Sequence, residues 1–129
     1  MEEKSHALFI EKKRAWYKTL GKVYCPALKQ EVTFNSKGFN HLLFDGFGRK
    51  RAPKEAVSRL NILPLSVDLI KNIQTISEYR SLTNLEYWKL KMSFYEKSLK
   101  VTVILKKAGS GKISFHSTWS DKISAKKPD

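Results

Sequence analysis

The sequence predicts an α+β domain in which N-terminal helices pack on a four-stranded antiparallel β-sheet. Apolar residues recur at a helical period over about residues 1–80, and from about 86 to 119 they alternate with a period of two. Size agrees with this: at 129 residues, 41% hydrophobic and 12% aromatic, the chain is a single domain, 1–129. A domain of this length buries roughly two-thirds of its unfolded surface, with no need of a disulfide or structural metal.

The first helix is expected from Glu2 to Leu20. Leu8, Phe9, Trp16 and Leu20, with Ala7, Ile10 and Ala15, form an apolar stripe beside Glu11, Lys12, Lys13 and Arg14, and Gly21 supplies the stop. Cys25-Pro26 interrupts regular structure, after which Glu31 to Asn35 alternates with β-branched content and reads as a strand. Ser36-Lys37-Gly38 reads as a turn, and Phe39, His41, Leu42 and Leu43 as a short helix ending at Asp45-Gly46. The stretch from Asp45 to Arg51 is a glycine-rich basic loop. Pro53 opens a helix carrying Ala56, Val57 and Leu60, and Pro64 interrupts it. Leu65, Val67, Leu69, Ile70 and Ile73 continue as a second helical piece that fades into a polar stretch from Thr75 to Thr83. Strands then follow at Tyr87–Phe94, Lys100–Lys106 and Lys112–Thr118, the last two joined by a glycine-containing hairpin loop. With the strand around Val32 they make up the four. Lys126 to Asp129 reads as a frayed tail.

Twenty-five Lys and Arg against 12 Asp and Glu leave a net charge of +13. Such a body attracts polyanions, nucleic acid first among them, through counterion release and long-range steering; a merely solubilising surface is the plainer alternative. The charge recurs at Lys12 to Arg14, Arg49 to Lys54, Lys89 to Lys91 and Lys106 to Lys112, between folded elements, which is the pattern of a structured cationic surface. The single cysteine, Cys25, excludes an internal disulfide framework and a Cys-based zinc cluster, and fits a reducing compartment. With no signal-type segment and no membrane-length apolar run, a cytoplasmic location without a membrane partner is expected.

Metal catalysis needs clustered ligands. Here the carboxylates are scattered and His6, His41 and His116 stand far apart, so neither a metal site nor a cofactor is expected. Gly109-Ser-Gly-Lys112 lacks the upstream glycine of a phosphate-binding loop and has Ile113 where Ser or Thr is required; it reads as a hairpin. Metal-free RNA cleavage asks for a base to deprotonate the 2′-hydroxyl, an acid for the leaving 5′-oxygen and cations for the phosphoryl charge. Histidine suits the first two roles and arginine the third. His41 stands near Lys37 and just before Arg49, Lys50 and Arg51, a titratable group among cations. His116 alternates with Ser114 and Thr118 on one strand face, opposite Ile113 and Phe115, with Ser117 on the apolar-facing row. Arg59 and Arg80 are either surface charges or phosphate ligands. Tyr87, Trp88, Tyr95 and Trp119 either stack on bases or fill the core.

Several of these features occur in an order that resembles a known group. They are the run from Val32 to His41, the basic loop, Arg59-Leu-Asn-Ile-Leu-Pro64, the Tyr87-Trp88 strand and the closing hairpin from Val101 to Ser117. Over roughly Val23 to Asp121 the chain is similar to phage-type members of the barnase/EndoU/colicin/RelE-like (BECR) nuclease superfamily. The resemblance implies N-terminal helices before a four-stranded antiparallel sheet and a metal-independent endoribonuclease, often a toxin acting on RNA. An acidic antitoxin or immunity protein is the partner such a toxin implies. The early histidine maps onto His41, the basic helix residue onto Arg59, and the hydroxyl ending the last strand onto Ser117, with Thr118 beside it. The barnase branch expects a glutamate base and a C-terminal histidine. Here no glutamate is clearly placed for that role, and His116 is one residue out of register with Ser117.

The leading expectation is thus an RNase with His41 as acid or base, Arg59, Arg51 and Lys37 holding the phosphate, and Ser117 and Thr118 positioning substrate. Arg49, Arg80, Lys89, Lys91, Lys106, Lys112 and His116 would provide further RNA contacts. The alternative is a basic nucleic-acid-binding module without chemistry, and convergence of His41, Arg59 and Ser117 on one pocket would separate the two.

Overall fold

A computed structural model of the chain describes residues 3–124; the expected start at Glu2 and the Lys126 to Asp129 tail lie outside the described residues. Helix α1 (Glu3–Lys18) closes with turn hydrogen bonds from Thr19 and Leu20, and Gly21 follows at φ +59°, a left-handed conformation that glycine adopts without a Cβ clash. The helix buries less of its stripe than the spacing predicts. Leu8 is 58% and Trp16 37% exposed, while Tyr17, outside the expected stripe, is 2% exposed and is the residue that anchors the helix.

Six strands form one sheet: β1 (Lys22–Cys25), β2 (Gln30–Thr33), β3 (Glu78–Leu82), β4 (Leu85–Phe94), β5 (Leu99–Ala108) and β6 (Ser114–Lys122), in the order β1-β2-β6-β5-β4-β3. The four expected strands correspond to β2, β4, β5 and β6, but the four-stranded antiparallel sheet is corrected to a six-stranded mixed one. β2 runs parallel to β6, joined by the Thr33–Ser114 pair and a bond from Thr33 N–H to the Ile113 carbonyl. The added strands lie at the edges, where periodicity is weak. β3 is exposed at every position, so its side chains carry no burial alternation; it is held by antiparallel pairing with β4 across the two-residue loop Thr83-Asn84. β1 has only four residues before Pro26 ends it, and pairs with β2.

Three helices connect β2 to β3: α2 (Ser36–Leu43), α3 (Pro53–Asn61) and α4 (Leu63–Asn72). Ser36-Lys37-Gly38, expected as a turn, is instead the first turn of α2, because Asn35 caps it: its Oδ1 accepts from the Gly38 N–H at 3.1 Å. Pro64 separates α3 from α4 by standing in the first turn of α4, where its missing N–H costs nothing. The helices cover one sheet face, and Val32, Leu60, Leu69, Leu90, Val103 and Phe115 meet in the core between them. The opposite face carries Tyr87, Lys89 and Lys91 of β4 in register with Lys106, Ile104 and Thr102 of β5. Among the described residues no helix is long and apolar enough to cross a membrane.

A bulge in β6 changes which residues share a face. Leu105 pairs with Phe115 but Ile104 with Ser117, so His116 is the extra residue. The expected alternation therefore fails beyond Phe115. Ser117 pairs with Ile104 on the open face, and Thr118 pairs with Val103 on the helix-covered face.

Helix α2 lies very close to β6 at Gly38, where a Cβ would overlap the Phe115 carbonyl oxygen and come within 2.8 Å of the Tyr17 hydroxyl. Gly38→Ala is expected to cost about 1–3 kcal/mol by overpacking, measured by urea denaturation; unchanged stability would mean that the helix moves off the strand freely.

Candidate active site

The position of His41 follows from how α2 is seated. Phe39 and Leu42 are 1% and 0% exposed, so burial fixes the rotation of the helix and leaves Lys37 and His41, four residues apart, neighbours on its surface. The Tyr17 hydroxyl donates to the Asn35 carbonyl at 2.7 Å just before the helix. Burial pushes the Tyr17 phenol up, so it stays a protonated donor. At the other end the Arg51 Nε donates to the His41 carbonyl at 3.0 Å, placing a cation on the last turn of α2.

The bulge brings His116 to the same place. The His41 and His116 rings lie 4.1 Å apart between centroids at 57°, and the Tyr87 ring meets His116 edge-on at 5.8 Å. The pair borders a cleft of about 380 Å³ lined also by Asn35, Lys37, Lys106 and Lys112. Of the residues singled out from sequence, Lys37, His41, Lys106, Lys112 and His116 thus converge, although they come from one helix, two strands and a hairpin loop.

Both histidines are held neutral. Burial lowers the His41 pKa from its ordinary value, and the charges of Lys106 and Arg51 lower it further. His116 is lowered to about 4, first by burial and then by His41 and Lys106. Two imidazoles in contact amid ammonium groups resist a first proton and resist a second more strongly. At neutral pH the pair presents unprotonated nitrogens, which are bases.

Arg59, Ser117 and Thr118 form a separate interior cluster. The Arg59 guanidinium donates to the Ser117 hydroxyl and to the Thr118 carbonyl, both at 3.2 Å, on the β6 edge that β2 pairs at a single position. The Thr118 hydroxyl is fully buried; it donates to the Thr102 carbonyl at 2.9 Å and shares a 2.7 Å bond with the Ser66 hydroxyl of α4. These groups do not line the cleft with His41; they lock α3 and α4 to the strand that carries His116. Glu55 ties them to the histidine side, its Oε1 lying 2.8 Å from Arg51 and 3.2 Å from Arg59.

The other expected contacts lie apart from the cleft. Arg49 projects from the basic loop, bonded to Asp45 and stacked over Phe47, while Arg80, Lys89 and Lys91 stand on β3 and β4. Sequence reasoning missed Glu55, Tyr17 and the cap at Asn35. Asn followed by Ser-Lys-Gly before an apolar pair was the one available signal, a helix N-cap. Among the described residues no three His, Cys, Asp or Glu side chains gather as a metal-binding group.

The neutral pair makes stability pH-dependent. The unfolded chain takes up protons at the ordinary histidine value, about 6.5, whereas the folded pair takes them up lower, so acidification favours the unfolded state. Thermal melts from pH 7 to 4 should show the midpoint falling through the window between about 6.5 and the His116 value of about 4. His116→Asn should flatten that slope; an equal slope in the variant would remove the pair as its source.

No family model, no curated protein and no solved structure matches the chain.

Proposed function

We propose that the chain is a metal-independent endoribonuclease whose catalytic centre is the His41–His116 cleft. One observation carries this reading: two neutral imidazoles in contact, within a cleft walled by Lys37, Lys106 and Lys112. The lysines would hold the scissile phosphate and offset the charge that builds on its non-bridging oxygens. With the phosphate seated there, His41, the imidazole on the surface of α2, would take the 2′-hydroxyl proton, and the oxygen so activated attacks the adjacent phosphorus. His116 would hold the ring of His41 in place through the contact of the two rings. Since in-line displacement sets the leaving oxygen opposite the attacking one, the two touching rings act from one side. The 2′,3′-cyclic phosphate forms as the P–O5′ bond breaks, and the departing 5′-oxygen leaves toward the lysine wall, where a lysine ammonium would supply the proton it takes up.

Arg59, Ser117 and Thr118 would support this centre from behind, by fixing β6 where His116 leaves the strand. The reading keeps the activity that the BECR resemblance implies and, of the catalytic residues it carries over, His41 but not Arg59, Ser117 or Thr118; a toxin restrained by an acidic antitoxin or immunity protein would suit a body of charge +13. The mutual bonding of Arg59 and Ser117, away from the cleft, favours the second reading, a cationic RNA-binding module without chemistry.

RNA incubated with the protein in EDTA decides between them. Cleavage is expected, reduced about 100-fold or more in His41→Ala, with kcat/KM rising from acid pH and levelling below the ordinary histidine value because the base must be neutral. RNA left intact from pH 5 to 8, or cut equally well by the variant, would overturn the catalytic reading.

A further inference from the structure

The open sheet face holds a second depression of about 320 Å³, lined by Arg80, Tyr87, Lys89, Ile104 and Trp119, with Glu78 beside them. Its position follows from the register. Lys89 pairs with Ile104, and one same-face step along the strands Tyr87 pairs with Lys106, a wall residue of the histidine cleft. Such a step is about 7 Å. Tyr87 stands between the two hollows, its ring edge-on to His116 on one side and lining the depression on the other. Trp119 reaches the same face because the bulge shifted β6, setting it opposite Thr102 beside the Ser117–Ile104 pair.

We propose that this depression is a nucleobase-stacking subsite for single-stranded RNA, taking the base adjacent to the phosphate in the histidine cleft. The subsite rests on the reading of that cleft as a phosphate site. Stacking needs a flat apolar surface with cations nearby for the backbone, and both are present. Tyr87 and Trp119 are only partly buried, so their rings have surface to offer, and Lys106 lies 5.8 Å above the Tyr87 ring. Arg80, Lys89 and Lys91 continue the positive charge along β3 and β4. The carboxylate in the lining, Glu78, lies within 3.8 Å of Arg80 and 3.9 Å of Lys89, which offsets its repulsion of a phosphate chain. A duplex would keep its base faces inside its own stack, so the occupant is an unpaired strand.

The test measures binding of a labelled RNA octamer, and of an abasic ribose-phosphate octamer of equal charge, to the His41→Ala protein at fixed salt. Against that background Trp119→Leu, which keeps apolar bulk but removes the ring, should weaken RNA binding about tenfold and leave the abasic chain unchanged. Trp119→Phe should recover most of the loss. Equal affinity of the two octamers for the His41→Ala protein, or equal weakening of both by Trp119→Leu, would overturn the subsite. Cleavage of the octamer by the unaltered protein is scored separately: intact RNA together with base-dependent binding overturns the nuclease reading and supports the subsite.

Discussion

The close seating of α2 on β6 is the constraint from which the rest of the site follows. Gly38 lets the helix backbone come against the Phe115 carbonyl, and Tyr17 spans the gap to Asn35 from α1. The aromatic cluster of Tyr17, Phe34, Phe39 and Phe115 fills the space around that contact, with Phe34 and Phe115 stacked at 5.3 Å. Dense packing of this kind resists small displacements. His41 lies three residues beyond Gly38 and His116 is next to Phe115, so the spacing of the imidazoles is inherited from the packing of their neighbours.

The bulge is the second determinant. A regular β6 would have kept His116 in strict alternation, with Thr118 beside it on one face. The extra residue instead sends the Thr118 hydroxyl into the core against Ser66, leaves Ser117 buried with its hydroxyl bonded to Arg59, and sets Trp119 on the open face. One local irregularity thereby separates a buried, fully bonded hydroxyl from a surface that a ligand can reach, in keeping with the occurrence of bulges where a side chain is re-aimed.

Charge completes the arrangement. Glu55 is shared by Arg51 and Arg59, Asp45 is taken up by Arg49 and two loop amides, and Glu78 lies between Arg80 and Lys89. Among the described residues no carboxylate forms an ion pair with Lys37, Lys106 or Lys112. Lys37, Lys106 and Lys112 thus bring unpaired positive charge to the histidine cleft, where burial first, and then the charge of Lys106, keeps the imidazoles neutral.

The helices, the Pro64 break, strands β2, β4, β5 and β6 and the final hairpin were legible in the sequence, because each is written in local periodicity or in a glycine or proline. β3 was not, since an edge strand exposed throughout owes its form to the pairing of Tyr79, Arg80 and Ser81 with β4. The parallel pairing of β2 with β6 was not either, as it depends on where three helices and three strands return the chain. In the site, residue chemistry marked His41, His116, Lys37, Lys106 and Lys112 one at a time. That they meet, while Arg59, Ser117 and Thr118 bond to one another instead, was decided by the tertiary structure. Periodicity assigns a residue to a face of its own element, but a bulge and a glycine-wide contact between elements more than seventy residues apart determine which faces touch.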